Sequence, residues 1–261
     1  MMHPIPLSAA ARRSIQPALP VPVDPKTHQT QSRPNLRRYV IKSLLPGGDI
    51  AETRHVAPAL PVFEDAFCAF ARGSVVDTDS GPVAVEDLLP GDRILTSDGT
   101  AQPLVWKGST TIVPGRRDTA ARKLQLTRIM ADSFGMQRPV ACMIAGPSAR
   151  LLYTPDHLRG LAGNLRLLTP VQEFTDGLTV IETTPPSAVD LFHLCLSRHA
   201  IIRVNGLEFE TYHPGLEAAR ALSQNMRPHF LNLFPHISQL CDFGEPVFTR
   251  AGDRQPDPLR A

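Results

Sequence analysis

The chain has 261 residues, 42% hydrophobic and 20% charged, which are the values of a globular protein and not of a disordered or membrane-embedded one. A formal net charge of +2 makes no general case for nucleic acid. No apolar run approaches the ~18 residues that span a bilayer.

Residues 1–57 carry Pro4, Pro6, Pro17, Pro20, Pro22, Pro25, Pro34 and Pro46, and Tyr39 is their only aromatic residue. Such a segment buries too little apolar surface to offset its ordering entropy, so a basic, largely disordered leader is expected. Leu36 to Leu45 is a short exception with strand-like or docking character before the turn at Pro46-Gly47-Gly48. Pro4 and Pro6 interrupt any signal-peptide core and Arg12-Arg13 follow it, which makes a cytoplasmic location the expectation.

From residue 58 to residue 215 the pattern is one of short strands. Val83 and Val85 alternate ahead of Pro90-Gly91, and Ile94-Leu95 meets the hairpin signal Asp98-Gly99 before the return strand Leu104-Val105-Trp106. Val140 to Ala145 and Ala149 to Tyr153 flank Gly146-Pro147. Leu191 to Leu196 precedes Ala200 to Val204, which runs into Asn205-Gly206. This spacing indicates an all-β fold. Leu216, Ala219 and Leu222 recur at helical spacing, so 216–245 is expected to be a helical C-terminal extension and 246–261 a flexible tail.

The four cysteines, Cys68, Cys142, Cys195 and Cys241, are too few for a disulfide scaffold and form no Cys-x-x-Cys pair. The gaps between His193, His199, His213, His229 and His236 fit no usual zinc spacing, so neither a metal nor another cofactor is expected.

Ala69-Phe70-Ala71-Arg72-Gly73-Ser74 leads into Pro82-Val83-Ala84-Val85-Glu86-Asp87-Leu88-Leu89-Pro90-Gly91-Asp92 and on to Trp106. This run resembles the opening of Hint domains, the self-cleaving module of hedgehog proteins and inteins, especially the bacterial non-splicing branch. Residues 189–207 are similar to the late intein block ending in Ala-Asn-Gly. The resemblance implies a Hint-type fold of two pseudo-symmetric, intertwined β subdomains. It also implies a mechanism in which a first Cys attacks the carbonyl before it, and a His protonates the departing amide nitrogen. The family reads Cys-Phe-x-x-Gly-Thr where this chain has Ala69-Phe70, so Ala69 stands in the nucleophile's place and the nearest thiol is Cys68.

Two registers compete for the histidine. Thr154-Pro155-Asp156-His157 is a short match to the Thr-x-x-His element. A longer ungapped match runs from Ile129 through Arg138-Pro139 to Leu152, and it puts Ala149 in the histidine's place. The longer register is preferred, because a four-residue motif arises by chance far more easily. The resulting expectation is a Hint domain without efficient self-cleavage, serving as a binding or structural module for a protein partner that the sequence does not identify. The alternative is an autoprocessor that cuts at Phe67-Cys68 with Cys68, Thr154 and His157. Splicing is not expected, since no terminal His-Asn follows the late block.

Overall fold

The computed structural model describes residues 35–113, 125–155 and 165–252. Fifteen strands, nearly all antiparallel in their pairing, dominate the described residues: β1 (Leu36–Leu44), β2 (Ile50–Pro58), β3 (Phe70–Ala71), β4 (Val75–Thr78), β5 (Gly81–Ala84), β6 (Arg93–Leu95), β7 (Ala101–Ile112), β8 (Leu126–Ile129), β9 (Met143–Ala145), β10 (Arg150–Tyr153), β11 (Leu167–Pro170), β12 (Val180–Thr183), β13 (Val189–Leu196), β14 (Ile201–Val204) and β15 (Leu207–Glu210). Three short α-helices accompany them: α1 (Pro61–Glu64), α2 (Gly215–Ala221) and α3 (Arg227–Leu231). The fold is all-β, as the spacing of apolar runs implies. No described helix is long and apolar enough to cross a membrane.

The long strand β7 ties two strand groups together. Its first residues pair with β6, Leu95 opposite Ala101, across the Asp98-Gly99 turn. Its later residues lie between β13 and β1, with Cys195 and Ser43 each opposite Trp106. Along β7, Leu104, Trp106, Thr110 and Ile112 are buried at the two-residue period of a strand. The Asn205-Gly206 turn joins β14 to β15 with φ of 50° and 81°, the left-handed pair that a two-residue hairpin requires.

β13 is covered on both faces, so its sequence is a continuous apolar run and not an alternating one. Phe192, Leu194 and Leu196 enter one cluster with Phe70, Ile94, Leu104 and Phe209. Leu191 and Cys195 enter a second, built on Trp106, Phe63, Phe67, Tyr212, Phe230 and Phe234. The C-terminal extension supplies much of this second core. Phe234 stacks on Trp106 at 4.8 Å between centroids and on Tyr212 at 5.3 Å, and the Trp106 indole N–H donates to the Leu233 carbonyl at 2.7 Å.

Two expectations about the flanks need correction. Residues 35–57 are not a disordered leader, because β1 and β2 form a regular hairpin from Leu36 opposite Pro58 to Leu44 opposite Ile50. Tyr39, Ile41 and Ser43 turn inward at alternate positions, and Tyr39 stacks on Phe67 at 4.3 Å. That burial supplies the stabilisation that the proline content argued against. The expectation for residues 1–34 lies outside the described residues. The tail also stays attached beyond residue 246: the Leu168 N–H donates to the Thr249 carbonyl and the Leu168 carbonyl accepts from the Ala251 N–H, and Arg250 pairs with the buried Glu210. Residues 253–261 lie outside the described residues.

Replacing Trp106 by Phe keeps most of the apolar burial but leaves the Leu233 carbonyl without its donor in a dry core. The expected cost is about 1–3 kcal/mol, read from the midpoint of urea unfolding.

Candidate functional site around the Cys68–Ala69 peptide

The chain crosses from one strand group to the other at Gly146-Pro147, between β9 and β10, and there it passes directly over the peptide joining Cys68 to Ala69. The Gly146 N–H donates to the Ala69 carbonyl at 2.7 Å, and the Ser148 N–H donates to the Cys68 carbonyl at 3.2 Å. The Ala69 N–H donates in turn to the Phe192 carbonyl at 3.1 Å. Gly146 is needed for this approach, since a Cβ there would overlap the Cys68 carbonyl.

Ala69 and Ala149 are both buried in the first apolar cluster. Ala149 closes the crossover with its N–H on the Gly146 carbonyl at 3.2 Å, and its own carbonyl accepts from Val171 at 3.0 Å. Cys68 is fully buried on the opposite side, in the aromatic cluster. Burial, with the Glu64 carboxylate nearby, pushes its thiol well above the ordinary range, so a thiolate is strongly disfavoured there. Thr154 lies half-buried just beyond β10. His157 lies outside the described residues. The structure thus brings Ala69, Ala149 and Cys68 to one crossover, with the alanines on one face and the thiol on the other.

A second set of polar residues, not singled out by sequence reasoning as a site, lies beside the same crossover. Ser148, Arg150, His193, Glu210 and Arg250 line a cavity of about 250 Å³. The Glu210 carboxylate is almost completely buried. Its Oε1 accepts from Arg250 Nε at 3.0 Å and Nη2 at 2.8 Å, and lies 3.1 Å from His199 Nε2. The Val247 N–H donates to His199 Nδ1, which leaves the proton on Nε2 and makes that nitrogen the donor to Glu210. Burial alone would raise the carboxyl of Glu210, but the His199 hydrogen bond and the Arg250 charge outweigh it and hold it down at about 2.

His193 projects from β13 between Phe70 and Tyr212, and its Nδ1 accepts from the Leu194 N–H at 3.1 Å. Burial lowers its imidazole to about 3, so it is neutral with the proton on Nε2. His213 is lowered to about 4 by burial, opposed by its hydrogen bond to the Gly244 carbonyl. Among the described residues no three His, Cys, Asp or Glu side chains converge on a point where a metal would sit. The signals for this second set were weak. Glu210 is a charge at the end of an apolar strand, and Arg250 fell in what read as a tail.

A family profile described as a Hint domain matches residues 68–216, more than half of the chain, and the chain therefore belongs to the Hint-domain family. Among solved structures it is similar to the MchDnaB-1 intein, with 13% identity over 55% of this chain and 100% of that one at a TM-score of 0.32. It is also similar to a variant of the same intein, with 15% identity over 55% and 98% of the two chains at a TM-score of 0.31. No curated protein matches it in sequence.

Two outcomes follow from this geometry. Gly146→Ala forces the crossover away from the Cys68 carbonyl and is expected to cost roughly 1–3 kcal/mol as an overpacked site, measured by urea unfolding. Stability also depends on pH in a definite sense. His193 and His213 titrate near 3 and 4 when folded and near 6.5 when unfolded, so the unfolded chain binds more protons between those values. Stability is complete above about pH 7 and is lost as pH falls through about 6 to 4. Glu210, held at about 2 against an ordinary 4.5, adds a further loss below 4.5. Unfolding free energies that stay flat from neutral pH down to about pH 4 would contradict this assignment.

Proposed function

We propose that this protein is a Hint domain that does not cleave itself efficiently and is retained as a binding or structural module. The observation that carries this reading is the burial of Ala69 and Ala149 in one apolar cluster beside the Cys68–Ala69 peptide, with neither a nucleophile nor an acid at either position. Hint chemistry needs both, because attack on the carbonyl and protonation of the leaving nitrogen belong to one acyl shift. The degeneracy rests on the longer register of the bacterial non-splicing pattern.

The segment upstream of that peptide favours the same reading. β1 pairs with β7 through Val40 to Ser43, and Arg37 Nε contacts Glu64 Oε1 at 2.8 Å. A self-cleaving domain releases what precedes its first residue, whereas here residues 36–67 help to build the second core. For the alternative cut at Phe67-Cys68, the thiol would have to ionise inside an aromatic cluster, against the desolvation that raises its pKa.

The intact mass of the purified full chain is expected to be that of a single uncut species, unchanged by Cys68→Ala. A cut before residue 68 that Cys68→Ala abolishes would replace this reading with the autoprocessor. Ala69→Cys together with Ala149→His is expected to restore partial, thiol-stimulated cleavage before residue 69, and neither substitution alone is expected to suffice.

A further inference from the structure

Among the described residues β2 is an edge strand, paired with β1 alone over its nine residues and with no break in register. At the turn end of the hairpin the Leu45 N–H donates to the Asp49 carbonyl, and at the far end the Ala59 N–H donates to the Asn35 carbonyl. Antiparallel bonding alternates between these ends, so the odd-numbered residues of β2 are the ones bonded to β1. The even-numbered residues of β1 turn to β7 instead, as the Arg38 carbonyl does in accepting from Thr110 Oγ1 at 2.9 Å. The backbone N–H and carbonyl groups of Ile50, Glu52, Arg54 and Val56 therefore point out of the sheet, where another strand can pair with them. Pro58, the next outward position, has no N–H to offer.

The side chains at these four positions share one face, and that face is in water. Val56 is 64% exposed, Ile50 is 44% exposed, and 81% of the Arg54 side chain is accessible. Edges are usually protected by lysines or by charges turned inward. Here the two charges are outward, of opposite sign, and set between two apolar residues. Ile50-Ala51-Glu52-Thr53-Arg54-His55-Val56 is complementary to its own reverse. Two copies of one edge pair antiparallel about a two-fold axis, so the residue on the axis fixes the register. With Thr53 on the axis, Glu52 lies opposite Arg54, Ile50 lies opposite Val56, and the small Ala51 leaves room for His55. An axis at Glu52 or at Arg54 sets that charge against its own copy, which is destabilising. An axis at Ala51 sets Ile50 against Glu52, and one at His55 sets Val56 against Arg54.

The neighbouring strand extends the match at Thr53. Lys42 lies beside Glu52 and Leu44 beside Ile50 in β1. One row across the joined sheets is then Lys42, Glu52 and the partner's Arg54, and another is Leu44, Ile50 and the partner's Val56. Gly48 of the turn falls opposite Pro58 in the same register, so the pairing stops at both ends together.

We propose that β2 is a dimerisation edge, at which two copies of this chain join their sheets antiparallel about Thr53. The pairing closes both edges at once and covers the exposed apolar side chains at both ends of the paired segment. β2 lies upstream of the Hint match at 68–216, so the edge belongs to this chain's flank and not to the matched core. The proposal deepens the binding-module reading, with a second copy as the partner, and rests on it because β2 stays joined to the Hint-matched region only while the chain is uncut. One pair of strands makes a small interface, and a dissociation constant of ~10–100 µM is expected.

The test is sedimentation velocity of the full-length chain, verified as uncut by mass, at concentrations spanning that range. The sedimenting species is expected to pass from one chain to two as concentration rises. Arg54→Glu and Glu52→Arg each put like charges opposite one another at both pairs, and each should weaken self-association at least about tenfold. Mixed in equal amounts, the two variants place Glu opposite Arg again and should associate within about threefold of the parent affinity. Unchanged urea midpoints verify that both variants are folded. A chain that stays monomeric throughout would leave the edge to an extended segment of another protein and overturn the proposal. An undiminished dimer of either folded variant, or a mixture that associates no better than its components, would overturn it as well. A chain cut before residue 68 would instead refute the functional reading, and the mass measurement detects that separately.

Discussion

The structure depends on how one peptide is held. The Cys68 and Ala69 carbonyls accept from Ser148 and Gly146, and the Ala69 N–H is given to Phe192. These three bonds tie the start of the Hint-matched region to the crossover between β9 and β10 and to the central strand β13. The peptide is thereby a joint through which the two strand groups are anchored to each other. Its surroundings suit that role, with alanines on one face and a desolvated thiol on the other.

The second core follows from this joint. β13 shows Leu191 and Cys195 to the side on which Cys68 lies, and that face would be open to water if the Hint-matched region stood alone. Tyr39, Phe63 and Phe67 cover it from the N-terminal flank, and Phe230, Leu233 and Phe234 cover it from the C-terminal one. Trp106 is the piece common to both. Its ring stacks with Phe234 and tilts against Phe67, and its N–H caps the Leu233 carbonyl, so both flanks are registered against β7 by one side chain.

The two turns Asp98-Gly99 and Asn205-Gly206 were legible in the sequence because their chemistry is local. The short apolar runs were legible as strands for the same reason. The family was legible from its opening block, and the profile match bears that out. The β1–β2 hairpin was partly hidden. Its inward positions, Tyr39, Ile41 and Ser43, do alternate, but Arg37 and Arg38 precede them, Lys42 lies among them and prolines crowd the residues before. Whether such a strand is buried depends on an aromatic partner, Phe67, that composition does not reveal. The cavity was not legible at all. Ser148, His193, Glu210 and Arg250 come from four separate stretches, and Arg250 looks like tail until the buried carboxylate that holds it is known.

The central claim, that residues 36–67 are an integral part of the core, is tested most directly by hydrogen–deuterium exchange of the intact chain. The account predicts that amides of β1 which pair with β7, from Val40 to Ser43, are protected to the same degree as those of β7 and β13. Exchange of β1 at the rate of an unstructured peptide, with β7 and β13 still protected, would contradict it.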